Sequence, residues 1–312
     1  MGQYHEPVLL DEVLLALDIK KEGVYVDATL GTGGHSLAIG HKLGRNGLLV
    51  GLDIDPAAIA LAKQRLAPLK CRSEVIKRNY VGLDSVLADL GIQGADGILL
   101  DLGMSSFQLE HSRRGFSFLR DEPLDMRMDP EGQGPSAADL VNTLKEDELE
   151  DLLRRYGEER RARQISRAIV RARVKAPITT SSHLASLVCA VCPQSRRGTL
   201  RHPATRTFQA LRIAVNKELD NLEIFLKKVP DLLRPKGRLV VLSYHSLEDR
   251  LVKQAMSAWE RGCTCPPDFP QCVCGKRPVM KRVYKKAKRP GEKEKARNPK
   301  ARSAILRAAE RI

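Results

Sequence analysis

Short apolar runs recur through the first hundred residues, separated by segments with helical spacing. VYVDAT (24–29), LLVGLDID (48–55), SEVIKRN (73–79) and GILLDLG (97–103) predict four strands. Residues 34–43, PAAIALAKQRL (56–66) and GLDSVLADL (82–90) predict the helices between them, with Pro56 suited to a first turn. Short apolar strands alternating with helices predict a parallel sheet covered on both faces. From 107 to 215 no strand-like run occurs. Residues 137–175, 180–192 and 205–229 instead carry apolar positions at i, i+3 and i+4. The α/β pattern resumes with GRLVVLSYHS (237–246) and LEDRLVKQAMSAW (247–259). The economical reading is an α/β core, 1–106 and 216–312, interrupted by a helical domain at 107–215. Two domains in series would leave a four-stranded half sheet exposed.

Charge divides the chain in the same way. Residues 1–110 are net −4, residues 111–217 net +7 and residues 218–312 net +12, of a total of +15. The stretch 276–312 holds fifteen Lys/Arg against three Asp/Glu. A basic middle and tail behind an acidic front predict a polyanionic partner, with a merely solvated tail as the alternative. The Lys/Arg/Pro-rich stretch 281–300 is expected to be poorly ordered when unbound. No apolar run approaches the roughly 20 residues needed to cross a bilayer, and no basic leader precedes the first apolar stretch, so a cytoplasmic protein is expected.

The loop GTGGHS (31–36) follows the first predicted strand and opens a helix. It is not the dinucleotide fingerprint, because Ser36 stands where the third glycine would be. Its glycines let backbone approach a ligand at a helix N-terminus. Asp53, at the end of the second strand, can accept the ribose hydroxyls of an adenosine moiety. That pair suits NAD and S-adenosylmethionine alike. LLRPKGRLVVLSYHS (232–246) and LLDLGMSS (99–106) tip the balance, because both resemble segments of class I methyltransferases. The fold class expected is therefore α/β, a Rossmann-like class I S-adenosylmethionine methyltransferase core with an inserted all-helical domain.

The resemblance is closer still. HEPVLLDE, DATLGTGGHS, DLGMSS, RGFSF, LDMRMD, YGEERRARQISRAIV, HPATRTFQALRIAVNKEL, SYHSLEDR and NPKARSAILRAAER resemble, in order and spacing, the bacterial 16S ribosomal RNA cytosine-N4 methyltransferase family (MraW/RsmH). The resemblance implies a cytosine near the decoding centre of the 30S subunit as substrate, with S-adenosylmethionine as methyl donor. It places cofactor-contacting positions on Gly33, Gly34, His35, Asp53, Tyr80, Asp101 and Gln108, with the Tyr80 ring flanking the adenine. It leaves open whether the chain is a monomer or a homodimer.

The chemistry asks for particular groups. A cytosine amino nitrogen is a poor nucleophile, since its lone pair is delocalised into the ring. Alignment of nitrogen, methyl and sulfur can supply on the order of 7–11 kcal/mol, and an acceptor bonded to the amino hydrogen helps as positive charge develops. Amino-methyltransferases commonly use a D/N/S-P-P-aromatic motif; Asp101-Leu102-Gly103-Met104-Ser105-Ser106 lacks the proline pair. Asp101 is read as acceptor or as cofactor clamp. Ser105 and Ser106 bond the base edge or cap the next helix. His245, after the fifth strand, is read as a proton shuttle or a structural histidine. Tyr244 and Phe107 are stacking candidates, Phe107 alternatively core. Arg160, Arg163, Arg167 and Arg171 share one helix face, opposite Ile165, Ile169 and Ala172, and phosphate contact is the preferred reading over a solvated face. Arg201, His202 and Arg206 crowd a Pro turn that can carry the base or the backbone near it.

CTCPPDFPQCVCG (263–275) pairs C-x-C with C-x-C. Cys263, Cys265, Cys272 and Cys274 can close a tetrahedral structural zinc site, although the usual spacing is C-x2-C, and reduced, metal-free thiols are the alternative. Two rivals complete the functional reading: a non-catalytic RNA-binding assembly factor, and a DNA amino-methyltransferase, which the missing proline pair disfavours.

Overall fold

A computed structural model describes residues 7–192, 202–261, 265, 270–271 and 274–312. The chain forms two compact units, Met1–Gly103 with Asp220–Ile312, and Met104–Leu219.

The first unit begins with α1 (Leu10–Leu17), β1 (Val24–Asp27), α2 (Gly34–Lys42), β2 (Leu48–Asp53), α3 (Pro56–Leu66), β3 (Arg72–Lys77), α4 (Leu83–Asp89) and β4 (Ala95–Asp101). The second unit carries α5 (Ser106–His111), α6 (Ala137–Thr143), α7 (Glu146–Gly157), α8 (Ala162–Arg173), α9 (Ser181–Val191) and α10 (Thr205–Asn216). The chain then passes through α11 (Glu218–Leu232) and closes the first unit with β5 (Leu233–Ser243), α12 (Ser246–Arg261), β6 (Met280–Arg282), α13 (Glu292–Arg297) and β7 (Ile305–Arg311).

Among the described residues the strands make one sheet in the order β3-β2-β1-β4-β5-β7-β6. The first five are parallel, and β7 runs antiparallel between β5 and β6. The expected α/β class is thus the observed one. Period-2 alternation divides the strands between two cores. Val26, Val50, Leu52, Ile98, Leu100 and Val241 pack with Phe225, Val252 and Trp259 on one side. Tyr25, Leu49, Leu99, Val240 and Leu242 pack with Val13, Ile39 and Leu66 on the other. Burial on both faces explains why these strands read as continuous apolar runs. Strand order reverses between β1 and β4, and a doubly wound sheet binds ligands beyond the carboxyl ends of its strands at such a switch.

Two features depart from the sequence reading. The short strands β6 and β7 were not anticipated: ILRAAER is interrupted by alanines and charges, and becomes a strand by pairing with β5. The stretch 281–300 is also structured rather than loose. Lys288 exchanges both backbone hydrogen bonds with Leu306 at 2.9 Å, α13 follows, and Asn298 caps the turn Pro299–Ser303 whose Ala301 is fully buried. Backbone pairing to β7 outweighs the charge density that argued for disorder.

The regular structure of the second unit is helical among its described residues, apart from one isolated bridge between Pro123 and Thr180. Its core includes Phe116, Met126, Leu153, Ile165, Ile169 and Phe208. The RGFSF and LDMRMD stretches are held without regular structure. Arg114 Nη1 donates to the carbonyls of Arg127 and Met128 at 3.0 and 2.8 Å. Arg127 forks onto Asp125 at 2.7 and 2.9 Å, and Asn216 bonds the backbone of Met126 and Met128, each at 2.8 Å. Side chains thus satisfy backbone groups that no ladder reaches.

Candidate active site at the strand ends

Four parallel strands of the first unit end in residues with polar work to do. β1 ends at Asp27, β2 at Asp53, β4 at Asp101, and β5 leads into Tyr244 and His245. Between β1 and α2 the chain turns through Gly31 and Gly33, at φ 51° and 78°. Gly33 is the left-handed residue before α2, a conformation an L side chain disfavours, and no side chain caps the helix. Among the described residues the first amides of α2 therefore have neither an intrahelical acceptor nor a side-chain cap, as an anion- or carboxylate-binding N-terminus requires.

Asp53 closes this turn from below. Its Oδ2 accepts the Gly31 amide at 2.7 Å, and its Oδ1 accepts those of Ile54 and Asp55 at 2.8 and 2.9 Å. Burial pushes its pKa up, against the lowering effect of the amides of Asp55 and Gly31. Asp55 in turn caps α3, accepting from Ala57. Tyr80 follows β3 in a short 3₁₀ turn, half-buried, with its ring edge-on to Phe225 at 5.3 Å between centroids.

Asp101 is the hub. Its backbone N–H donates to Thr29 Oγ1 at 2.6 Å. Its Oδ1 accepts the Tyr244 hydroxyl at 2.7 Å, and its Oδ2 lies 3.4 Å from His35 Nδ1. The register explains the first contact: Asp101 pairs with Leu242, so Tyr244 emerges alongside it. Burial, then the Asp101 charge, hold the Tyr244 phenol well above its ordinary range, so it stays protonated and donates. Tyr244 is therefore a ligand of Asp101 rather than a free stacking ring. A quarter of the Asp101 side chain remains exposed, leaving lone pairs for another donor.

His35 faces inward. Its Nε2 donates to the Val8 carbonyl at 3.0 Å, and its side chain is 6% exposed. Both ring nitrogens thus face acceptors, a setting that favours the imidazolium. Burial opposes that charge, but Asp101, Asp27 and the Val8 carbonyl outweigh it and raise the pKa. What position 35 presents outward is backbone at the start of α2.

Asp27, fully buried, accepts the Ser36 hydroxyl at 2.7 Å. Burial lifts its pKa to about 6, while Ser36 and His35 pull the other way. From 3.8 to about 6 the folded chain holds a proton there that the unfolded chain has released. Stability therefore falls as pH rises through that window. His35 adds to the fall, since its raised pKa gives a stabilisation present at low pH and lost as pH passes the raised value. Asp27→Asn removes the first part. Thermal unfolding at about pH 4 and about pH 7 should show a loss with pH smaller by on the order of 2 kcal/mol than in the unmodified chain. An unchanged pH dependence contradicts the assignment.

The turn after β5 is tied down by Glu248, which is 2% exposed. Its Oε2 accepts the amides of Tyr244 and His245 at 2.8 and 3.2 Å. His245 Nε2 lies 3.1 Å from Glu248 Oε1 but is not aligned for a hydrogen bond. The sequence reading missed Glu248; its place four residues after Tyr244, in the first turn of α12, was the available signal.

In the second unit Ser105 is a helix cap. Its Oγ accepts the Gln108 amide, and the Gln108 side chain returns to the Ser105 amide, both at 3.1 Å. Of the two readings of Ser105, capping is the one with observed partners, because the hydroxyl and amide geometry of a capping box is complete. Ser106 opens α5, and Phe107 is half-buried. Along α8, Ile165 and Ile169 are buried, Ala172 is half-buried, and Arg163, Arg167 and Arg171 are exposed; Arg160, expected on the same helix face, is exposed in the turn before α8, because the helix begins only at Ala162. Arg167 pairs with Glu146 at 3.0 Å. His202 stacks on Phe118 at 4.4 Å and accepts the Ala204 amide on Nδ1. Arg201, Cys263 and Cys272 lie outside the described residues; Cys265 and Cys274 are half-buried. Among the described residues no helix is long and apolar enough to cross a membrane.

A family model described as the MraW methylase family matches residues 2–312. A ribosomal RNA small subunit methyltransferase H from Syntrophus aciditrophicus is 49% identical over 309 residues, covering 99% of this chain and 98% of that protein. Proteins of the same description from a Geobacter species and from Desulfosudis oleivorans are 50% and 48% identical, covering 99% and 100% of this chain and 99% and 100% of theirs. With glycine turn, strand-end carboxylates and full-length similarity in agreement, the chain belongs to the MraW methylase family.

Proposed function

We propose that this protein transfers a methyl group from S-adenosylmethionine to the N4 amino group of a cytosine in 16S ribosomal RNA, near the decoding centre of the small subunit. The observation that carries the chemistry is Asp101, whose backbone N–H is held by Thr29 and whose partly open carboxylate is held by Tyr244 at the switch point of the sheet. The printed descriptions of the relatives support small-subunit ribosomal RNA as substrate. The motif set supports cytosine N4.

The residues present fit the donor. The N-terminus of α2 suits a carboxylate, Gly33 takes the left-handed backbone that turns those amides outward, and Asp53 Oδ2 keeps a lone pair for a ribose hydroxyl. Tyr80, in the turn after β3, is assigned to flank the adenine on the motif set. When bound, S-adenosylmethionine supplies an electrophilic methyl on a sulfonium and needs no metal. Asp101 accepts a hydrogen of the cytosine amino group, draws electron density toward the nitrogen, and offsets the positive charge that develops there. Tyr244, held protonated, keeps that carboxylate aimed. His245 takes up or relays the released proton, its ring held by the Glu248 backbone N–H, which donates to Nδ1 at 3.4 Å. On the motif set alone, Gln108 is assigned to the donor and Ser106 to the base edge. The exposed arginines of α8 and the basic C-terminal segment meet RNA phosphates, so affinity should fall with salt. A cytoplasmic location accords with that substrate. Zinc at Cys263, Cys265, Cys272 and Cys274 rests on residue type and spacing alone; elemental analysis of the purified protein decides it, and no catalytic step uses it.

The test is transfer from labelled donor to 30S subunits lacking the modification, beside naked 16S RNA and duplex DNA, with nucleoside mass spectrometry. N4-methylcytidine from the 30S sample is expected. Donor binding with no label on any substrate overturns the enzymatic reading. Label at another atom overturns the N4 assignment.

A further inference from the structure

Three consecutive residues link the start of α2 to α13: the first two touch α2 and the third touches α13. Pro7 lies against Gly34 so closely that a Cβ there would sit 2.9 Å from Pro7 Cγ. The Val8 carbonyl receives His35 Nε2 at 3.0 Å. The Leu9 amide donates to Glu294 Oε1 at 2.7 Å, across 285 residues of sequence. Leu9 itself is 1% exposed and holds a left-handed backbone, φ 51°, immediately before α1. A non-glycine residue in that region is strained and persists only where its surroundings fix it. Glu294 supplies one of those fixings.

Glu294 is not a loose surface acid. It lies on α13, between Lys288, which is paired through its backbone to Leu306, and the buried Ala301. Its neighbour Glu292 pairs with Lys295 at 2.7 Å on an exposed face, so two acids of one helix have different tasks. The charge of Glu294 also reaches Tyr244, the partner of Asp101. Residues 7–9 thus stand between the basic C-terminal segment and the turn before α2.

We infer that Glu294 is a positioning residue of the methyl-donor site: by holding the Leu9 amide it fixes Pro7 and Val8 against Gly34 and His35, making the basic C-terminal segment a structural part of that site. The inference rests on the reading that the Gly31–His35 turn and Asp53 take the donor.

Calorimetric binding of S-adenosylhomocysteine to the full chain tests it, with thermal unfolding of the ligand-free proteins alongside. Glu294→Ala should weaken binding about tenfold, the scale of one hydrogen bond to a charged acceptor. Glu294→Asp, which keeps the charge but loses the reach, should weaken it similarly, and decides the matter should the alanine variant fail to fold. Glu294→Gln, whose amide oxygen still accepts, should stay within about threefold of the unmodified chain. Glu292→Ala should bind as the unmodified chain does. Unchanged affinity in Glu294→Ala and Glu294→Asp, with binding lost in Asp53→Ala, overturns the inference and leaves the site reading standing. Unchanged affinity in all three overturns the site reading beneath it. A loss of affinity matched by a fall in the ligand-free unfolding midpoint assigns Glu294 to general stability and also overturns the inference.

Discussion

Replacing Asp101 with Asn should lower kcat by about 10²–10³-fold, the cost of removing one preorganised electrostatic partner of a developing charge. The side chain keeps its size, and its oxygen can still accept the Tyr244 hydroxyl. What disappears is the negative charge that the methylated nitrogen meets as it becomes cationic. Donor affinity should change by less than about tenfold, because the ribose and carboxylate contacts lie on other residues. The split between kcat and donor affinity separates the two roles that the sequence left open for this residue. Equal losses in both would make Asp101 a cofactor clamp instead. Tyr244→Phe should follow in the same direction, with a kcat loss of about tenfold, since it removes one hydrogen bond that aims the carboxylate.

Asp53→Ala should weaken binding of S-adenosylhomocysteine by about a hundredfold, as expected when a hydroxyl contact to a charged acceptor, worth about 1.5–3 kcal/mol, is lost. The loss has a second source. Three backbone amides, those of Gly31, Ile54 and Asp55, lose their acceptor in this variant, and the glycine turn loses its anchor. Asp53→Asn keeps one oxygen for the amides and should fall between the two. Calorimetry checks both variants, and a donor affinity unaltered by Asp53→Ala removes the ribose assignment.

The parts of the site legible in the sequence are those that strand periodicity positions. An apolar run ending in Asp, followed by glycines or by a turn, places Asp53 and Asp101 at the carboxyl edge without any knowledge of packing. Gly33 was legible because a left-handed turn before a helix favours glycine. Contacts that depend on register were not. That Tyr244 reaches Asp101 follows only from the pairing of Asp101 with Leu242. That the His35 imidazole points inward to Val8 depends on where the N-terminal segment runs. Ser105 illustrates a different gap: the S-x-x-Q capping pattern was visible, but a hydroxyl beside a candidate catalytic Asp invites a chemical reading, and the local helix claims it. The C-terminal segment shows composition misleading. Its charge density argues for a solvated chain, whereas a few backbone pairings and one buried alanine suffice to order it.

The most direct test of the central claim is a crystal structure of the full chain with S-adenosylhomocysteine. The expected result is a ribose hydroxyl on Asp53, the ligand carboxylate at the amides that open α2, and the sulfur facing the open side of Asp101. Well-ordered ligand bound away from Gly31–His35 and Asp53, or bound there with its sulfur turned from Asp101, would contradict it.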